Sequence, residues 1–319
     1  MAWTTTYDLE EFQAAAGGFL RARPARNTVL LTVAASLAAA GSDRYGERPP
    51  VFGWWRPAEE ADGEVEGVFL CTPPYPPLLS AMPDEAAEAL ARILAGDGAG
   101  LVTGVNAGRK TAEAFAAAWE PLTGAAGWVE QTHRLYRLGT LTPPGPAPRG
   151  RARAATTADR ELLLTWYEGF ARDTGAIKGD VARVVDDRLS HGGVTLWEVD
   201  GEPVASAAVS RTVAGMVRVA LVYTPPELRR RGYAGAATAA VSRLARAAGV
   251  EEVLLFTDLA NPTSNALYQR LGFGGGPSPA VLRHPPEPRL HLKLTAPQPE
   301  QGHPSEELCY CSTRAQTVG

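Results

Sequence analysis

The sequence has little cysteine, little net charge and no long apolar run. Three cysteines in 319 residues are too few for a disulfide framework, which favours a reducing compartment, and we expect a cytoplasmic protein. A formal net charge of −4 gives the chain no general attraction to a polyanion, so we expect no nucleic acid partner. No apolar run reaches the ~20 residues of a membrane helix, so we expect no membrane partner.

A metal site is not expected either. Cys309 and Cys311 lie one residue apart, but no histidine or further cysteine stands at ligand spacing from them. The composition, 45% hydrophobic and 21% charged, is typical of globular proteins. A chain of this length is long enough for two domains of roughly 100 to 200 residues each.

Proline-rich segments divide the chain. The segment 141–153 holds four prolines and two glycines, which interrupt regular structure. We therefore predict a first domain over 1–140, a linker over 141–153 and a second domain over 154–295. Further prolines follow residue 285, and we expect residues 296–319 to form a disordered tail.

Apolar periodicity predicts helices and short strands in both halves, which gives an α/β (α+β) fold class. In the first half, helices are predicted over Leu9–Leu20, Asn27–Ala40, Asp84–Leu94 and Lys110–Trp119, and strands over Val51–Trp55, Val65–Cys71, Gly100–Gly104 and Trp128–Leu138. In the second half, helices are predicted over Ala158–Asp173, Val181–Leu189 and Ala234–Ala248, and strands over Val194–Val199, Pro203–Val213, Val217–Tyr223 and Glu252–Phe256.

One strand-loop-helix segment in the second half is typical of a phosphate site. The strand ending at Tyr223 leads through Thr-Pro-Pro-Glu to three consecutive arginines, and glycine-rich sequence follows at the predicted helix start. The first N–H groups of a helix have no intrahelical partner and carry a partial positive charge, so they attract phosphate. Glycine lets the backbone approach a ligand closely.

This segment resembles a known family. Arg229-x-x-Gly232-x-Ala234 matches the R/Q-x-x-G-x-G/A signature of the GNAT acetyltransferases, and Asp258–Phe273 is similar to the segment that follows it in the family. The resemblance covers Arg151 to Leu294. It implies a mixed central sheet, flanked by helices, whose fourth and fifth strands splay apart around an acyl thioester.

The first half is similar to a second, degenerate unit of the same fold. Where a phosphate loop would follow Val65–Cys71, the chain reads T-P-P-Y-P-P-L-L-S-A-M-P, and its prolines remove N–H donors. The whole chain thus resembles two-domain bacterial members of the family, with a tandem fold in which only the C-terminal unit is catalytic. The first unit would buttress that unit or shape the acceptor cleft.

The resemblance implies acetyl-CoA as co-substrate and assigns residues by position. Tyr268 would face the sulfur as general acid, since a hydroxyl can protonate the leaving thiolate. Asn261 would lie near the pantetheine arm. The strand end that pairs with pantetheine would be Val222, Tyr223 and Thr224, and the diphosphate loop would be Arg229, Arg230, Arg231, Gly232, Tyr233, Ala234 and Gly235.

The general base is left open. Many family members place a glutamate on the fourth strand, but Val217–Tyr223 has no acidic residue. Asp258 at the end of the fifth strand is one substitute, and an amine that arrives neutral could react without a base. The other substitutes are Glu168, Asp173, His191 and Tyr223 acting through water. The loop Ala171–Asp180 lies where the family binds its acceptor.

The implied function is transfer of an acetyl group to a primary amine of a small molecule or peptide by direct attack. A non-catalytic acyl-CoA sensor or scaffold is the alternative, suggested by the missing glutamate and the degenerate first half. A further alternative is an aminoacyl-tRNA-dependent transferase, against which the net charge of −4 argues. The sequence leaves a homodimer open.

Overall fold

A computed structural model describes residues 2–57, 63–97, 102–174, 180–274 and 289–295. The first half contains β1 (Ala2–Thr6), α1 (Leu9–Ala22), α2 (Thr28–Ala40), β2 (Val51–Arg56), β3 (Gly67–Cys71), β4 (Leu78–Leu79), α3 (Asp84–Asp97), β5 (Gly104–Gly108), α4 (Arg109–Thr123) and β6 (Ala126–Leu138). The second half contains β7 (Arg151–Ala154), α5 (Arg160–Thr174), α6 (Val181–Ser190), β8 (Val194–Val199), β9 (Glu202–Val209), β10 (Met216–Tyr223), α7 (Tyr233–Ala247), β11 (Glu252–Asp258), α8 (Pro262–Arg270), β12 (Phe273–Gly274) and β13 (Arg289–Thr295).

The two halves repeat one order of elements. Each runs strand, two helices, three strands, helix, strand, helix, strand, and β13 follows the second half. All strands join one mixed sheet in the order β1-β2-β3-β4-β5-β13-β6-β11-β10-β9-β8-β7, with β12 paired to β6. The predicted fold class, a mixed sheet flanked by helices in a tandem arrangement, is confirmed.

The two halves exchange their last strands. β13 pairs with β5 from Lys293↔Gly104 to Arg289↔Gly108, and on its other side it pairs with β6. The far end of β6 pairs with β11, from His133↔Asp258 to Arg137↔Leu254. The sheet therefore continues from one half of the chain into the other, and it is not divided at the segment 141–153. The division into domains there remains a prediction, and residues 296–319 lie outside the described part of the chain.

Helices of the first half also cover strands of the second. One apolar core joins Leu30 of α2 and Leu135 of β6 to Met216 of β10 and Leu254 of β11. A second core lies on the other face of β10, where Val217 and α7 meet. The strand pair β10 and β11 is thus covered on both faces, by α7 on one and by helices of the first half on the other.

The sequence prediction misplaced one strand and missed five, which are β1, β4, β7, β12 and β13. The predicted strand Gly100–Gly104 was placed too early: residues 102 and 103 are not in a strand and β5 begins at Gly104, while residues 100 and 101 lie outside the described part of the chain. Its position is set by pairing with β13, which lies far along the chain. β1 and β7 are the two edges of the sheet, where pairing on one side is enough and the apolar pattern is weak. β13 was not predicted as a strand.

The exchanged strand should contribute strongly to stability. Leu292 of β13 is 6% exposed and packs in the core of the first half, whereas the neighbouring Lys293 is exposed. We expect Leu292→Ala to lower the free energy of unfolding by roughly 2–5 kcal/mol, as for other buried leucines. The matched control Lys293→Ala loses only an exposed ion pair with Glu130 and a contact with the Trp128 ring, and it should change the free energy of unfolding by less than about 1 kcal/mol. Urea unfolding of both variants measures this, and equal midpoints would show that β13 does not hold the first half together.

Candidate active site

β10 and β11 are paired at one end and parted at the other. Their parallel pairing runs from Met216↔Glu252 to Val219↔Leu255 and goes no further. Beyond that point β10 continues along β9 through a bulge, with Ala220 opposite Ala208 but Tyr223 opposite Ser206. An extra residue on one strand bends it away from its neighbour. An opening results between the ends of the two strands, and the predicted splay is present.

The bulge is marked by an unusual backbone conformation. Leu221 has a φ of 53°, a value that residues with a side chain adopt rarely. Leu221 and Tyr223 pack on the face covered by α5 and α6, whereas Val222 packs on the face covered by α7. The backbone of β10 that faces β11 is consequently without a strand partner from Ala220 onward, among the described residues. It can pair with an extended ligand.

The loop after β10 leads to a helix start without a side-chain cap. α7 begins at Tyr233 after Gly232, whose φ is 82°. By contrast, Asp8 caps α1 and Asp180 caps α6 by accepting from backbone N–H groups. The first intrahelical bond near the start of α7 runs from the Ala236 N–H to the Gly232 carbonyl at 3.0 Å. The preceding N–H groups are thus available to an anion.

The corresponding helix of the first half offers no such site. α3 follows the fourth strand there, as α7 does in the second half, but its first turn carries Asp84 and Glu85. The first turn of α7 has no acidic residue. Since carboxylates repel a diphosphate, the contrast supports the prediction that only the second half binds the co-substrate.

Of the three arginines in the loop, Arg229 holds the loop in place and the other two are exposed. The Arg229 guanidinium donates through Nε to the Thr224 carbonyl at 3.0 Å and through Nη2 to Asp173 at 2.5 Å, and it lies 5.8 Å from the centre of the Tyr223 ring. It therefore ties the loop to α5. Arg230 and Arg231 are exposed, and they add positive charge beside the helix start.

Gly235 has a packing role in addition to the predicted one. It is buried, and a Cβ there would lie 3.2 Å from both Leu267 and Pro144. Ala234 beside it is half-buried. The small residues thus let the start of α7 approach α8 and the segment that joins the two halves.

Tyr268 carries its proton at neutral pH. Its ring packs 6.1 Å from that of Phe273, in the core that also holds Val222 and Tyr233. Burial raises the pKa of Tyr268 to about 12. Among the described residues none hydrogen bonds to its hydroxyl, so the group is free to donate to a ligand. This is the protonation state that the predicted general acid needs.

A polar network that the sequence did not reveal holds the loop after β11. The Tyr136 hydroxyl of β6 donates to the Asn265 side chain at 3.0 Å. Asn265 in turn donates to the carbonyls of Asp258 and Asn261 at 2.8 and 2.7 Å. Asn261 caps α8 by accepting from the Ser264 N–H at 3.0 Å, which leaves its side-chain amide free to donate to a ligand. Tyr136 and Asn265 are 129 residues apart, so no local signal linked them.

The candidates for the general base differ in their contacts and in their exposure. Asp258 ends β11 beside the opening, half-buried, and one of its oxygens accepts from the Ala260 N–H at 2.8 Å. Asp173 is ion-paired with Arg229, and Glu168 is exposed on α5. Asp258 is therefore the carboxylate best placed to act in the opening.

The two remaining candidates are enclosed. His191 has one ring nitrogen 2.7 Å from the Asp187 carbonyl and the other 3.3 Å from the Val209 carbonyl, and burial lowers its pKa. Its nitrogens thus face carbonyls and not a substrate. Tyr223 is buried against Trp166 of α5, and its hydroxyl lies where a side chain on Gly169 would stand. Residues 175–179 of the predicted acceptor loop lie outside the described part of the chain.

Comparison with known families identifies the second half. A model described as the acetyltransferase (GNAT) family matches residues 160–273, which span the opening, the phosphate loop and Tyr268. Residues 160–273 form a GNAT acetyltransferase domain. The resemblance predicted from the motif is confirmed, and the family of this domain supports the prediction of an acyltransferase. No curated protein matches the chain.

Solved structures share the fold of the whole chain. A GCN5-related N-acetyltransferase from Sphaerobacter thermophilus has 17% identity and a TM-score of 0.58, over 94% of this chain and 98% of its own. A Drosophila protein has 13% identity and a TM-score of 0.63, over 92% and 98%. A GNAT-family acetyltransferase from Colwellia psychrerythraea has 10% identity and a TM-score of 0.55, over 93% and 100%. The likeness extends across both halves.

In the parts of the chain that the structure describes, no group of His, Cys, Asp and Glu side chains is arranged to hold a metal ion. None of the helices in those parts is long and apolar enough to span a bilayer.

A matched pair of glycines tests the diphosphate site. Gly232 and Gly249 have φ values of 82° and 83°, at the two ends of α7, and neither is crowded. The substitutions Gly232→Glu and Gly249→Glu therefore impose the same backbone strain, roughly 1–2 kcal/mol. Only the first sets a carboxylate against a diphosphate, and we expect it to weaken CoA binding at least tenfold, or about 1.4 kcal/mol. Titration calorimetry measures both affinities, and an equal loss in the two variants would contradict the site.

Proposed function

We propose that the protein is an acetyl-CoA-dependent N-acetyltransferase whose acceptor is a primary amine of a small molecule or peptide. One observation carries the proposal: the opening between β10 and β11 leads directly to the uncapped start of α7. A diphosphate at that helix start and an extended arm along β10 would bring an acyl group to the closed end of the opening. Membership of the domain in the acetyltransferase family supports this reading.

The chain supplies positioning and proton transfer. Acetyl-CoA brings the acetyl group as a thioester. The amine nitrogen forms a bond to the carbonyl carbon while the bond from that carbon to sulfur breaks. Backbone N–H groups of β10 that face the opening stabilise the charge on the carbonyl oxygen. Tyr268 donates its proton to the sulfur, and the proton lost by the amine passes to Asp258 or to water.

The sensor alternative keeps a specific observation in its favour. β10 carries no acidic residue, and Asp173 and His191 are engaged in structural contacts. A sensor would bind CoA without releasing thiol. Free thiol measured with acetyl-CoA and a panel of amines separates the readings, because the proposal predicts amine-dependent release. Tight CoA binding without any such release would favour the sensor.

The tRNA-dependent alternative has less support. Such a reading would need a surface for a polyanion, whereas the chain has a formal net charge of −4. A homodimer and a cytoplasmic location remain expectations from the sequence.

Removing the Tyr268 hydroxyl should affect turnover and not binding. Because burial holds its pKa at about 12, the hydroxyl is protonated across the neutral range and acts as a donor. We expect Tyr268→Phe to lower kcat by roughly 100-fold or more, the usual contribution of a general acid. The affinity for CoA should stay within about twofold, since the ring and its packing on Phe273 remain. Steady-state kinetics and calorimetry measure the two quantities, and a parallel loss of both would refute the acid role.

A further inference from the structure

Four arginines gather on the face of β10 that is opposite α7. Arg44 comes from the turn after α2, Arg188 from the end of α6, Arg211 from the hairpin between β9 and β10, and Arg218 from β10 itself. They therefore converge from both halves of the chain. No motif in the sequence marked them.

Three of these arginines share a single carboxylate. Arg44, Arg188 and Arg211 lie 3.8, 3.5 and 3.2 Å from the Asp187 oxygens. The Asp187 side chain is 5% exposed, and those of Arg44 and Arg188 are 10% and 16% exposed. One negative charge thus faces three positive charges in a poorly solvated place, where unbalanced charge is costly.

Arg218 adds a fourth charge with no carboxylate partner in the described chain. The ionisable groups that act on its charge are Arg188, which repels it, and the Tyr45 phenol. Burial, reinforced by Arg188, lowers the pKa of Arg218 to about 10. The guanidinium is therefore still protonated at neutral pH and remains uncompensated.

The arginines also present unused donors. Nε of Arg44, Nε of Arg188, Nε of Arg211 and Nη1 of Arg218 are buried and have no hydrogen-bond partner. The Tyr167 hydroxyl is likewise buried without a partner, and the charge of Arg188 acts on it. Buried donors in native proteins are nearly always paired, so a cluster of unpaired ones indicates a missing acceptor. An anion with several oxygens would satisfy both the charge and the donors.

The cluster lies next to the closed end of the opening. A ligand that starts at the helix α7 and runs back along β10 ends near Ala220, where pairing with β11 resumes. Arg218 is two residues further along the strand, a distance of about 7 Å. Arg211 is more open than Arg44 and Arg188, with 30% of its side chain exposed, and gives access from solvent.

We propose that this arginine cluster binds an anionic group, a carboxylate or a phosphate, on the acceptor whose amine is acetylated. The inference rests on the proposed acetyl transfer, because it takes the opening as the place where the amine reacts. The acceptor class is then a short molecule with an amine and an anion within about 10 Å of each other. The first half has a part in recognition, since it supplies Arg44.

Matched amines test the proposal. One arm compares ω-amino acids of increasing chain length with the corresponding ω-amino amides, and the other compares O-phosphoethanolamine with ethanolamine. We expect kcat/KM to favour the anionic member at least tenfold in one of the arms, which also tells carboxylate from phosphate. Arg218→Met should abolish this preference, and Arg218→Lys should retain part of it. The exposed Arg243 of α7 gives the control Arg243→Met, which should keep the preference.

A binding measurement makes the test independent of turnover. Calorimetry with the same probes should show the anionic member binding to the wild-type protein and not to Arg218→Met. Equal use and equal binding of charged and neutral amines would overturn the inference, as would a preference that survives Arg218→Met. Absence of CoA binding and of thiol release would instead defeat the proposed acetyl transfer, and the two failures are therefore distinguishable.

Stability separates a ligand-binding role from a structural one. A partly buried charge without a carboxylate partner does not stabilise the free protein, so the free Arg218→Met variant should melt at the wild-type temperature or above it. Phosphate or a carboxylate probe should raise the melting temperature of the wild-type protein but not that of the variant. A marked fall in melting temperature, with probe binding unchanged, would assign Arg218 to the scaffold and overturn the inference.

Discussion

The site depends on the point where β10 and β11 stop pairing. Their hydrogen bonds end at Val219↔Leu255, and the bulge at Leu221 turns β10 away. Backbone donors and acceptors left without a strand partner need another one, and an extended ligand can provide it. The uncapped start of α7 lies at the open end of this gap, and the arginine cluster lies beyond its closed end. Co-substrate and acceptor would thus approach the same gap from opposite ends.

Elements of the first half pack around the gap between β10 and β11, although no phosphate loop follows the first half's own fourth strand, β4. β6 pairs with β11 along its far end, and Tyr136 fixes Asn265 and through it the loop after β11. α2 packs beneath Met216 and Leu254 at the paired end of the two strands. The first half is therefore part of the same sheet as the opening. The exchanged strand β13 makes the dependence mutual.

Local sequence signals predicted most of this fold, and long-range pairing explains what they missed. Apolar periodicity placed α1, α6 and β8 closely, and the motif from Arg229 to Ala234 led to the family. The displaced β5 and the missed β1, β7 and β13 are positions fixed by partners far along the chain. The ion pair between Arg229 and Asp173 also joins residues that are far apart in the sequence. The same is true of the cluster that contains Arg44 and Arg218. The motif predicted which residues form the loop, but only the fold shows what each of their side chains contacts.

Hydrogen exchange with and without CoA tests the central claim most directly. CoA is expected to slow exchange of those backbone amides between Ala220 and Tyr223 that face the opening, and of the amides from Tyr233 to Gly235, since these would donate to the ligand. Amides of α3, the corresponding helix of the first half, should be unchanged. Unaltered exchange along β10 and the start of α7 at millimolar CoA, or protection confined to α3, would contradict the account.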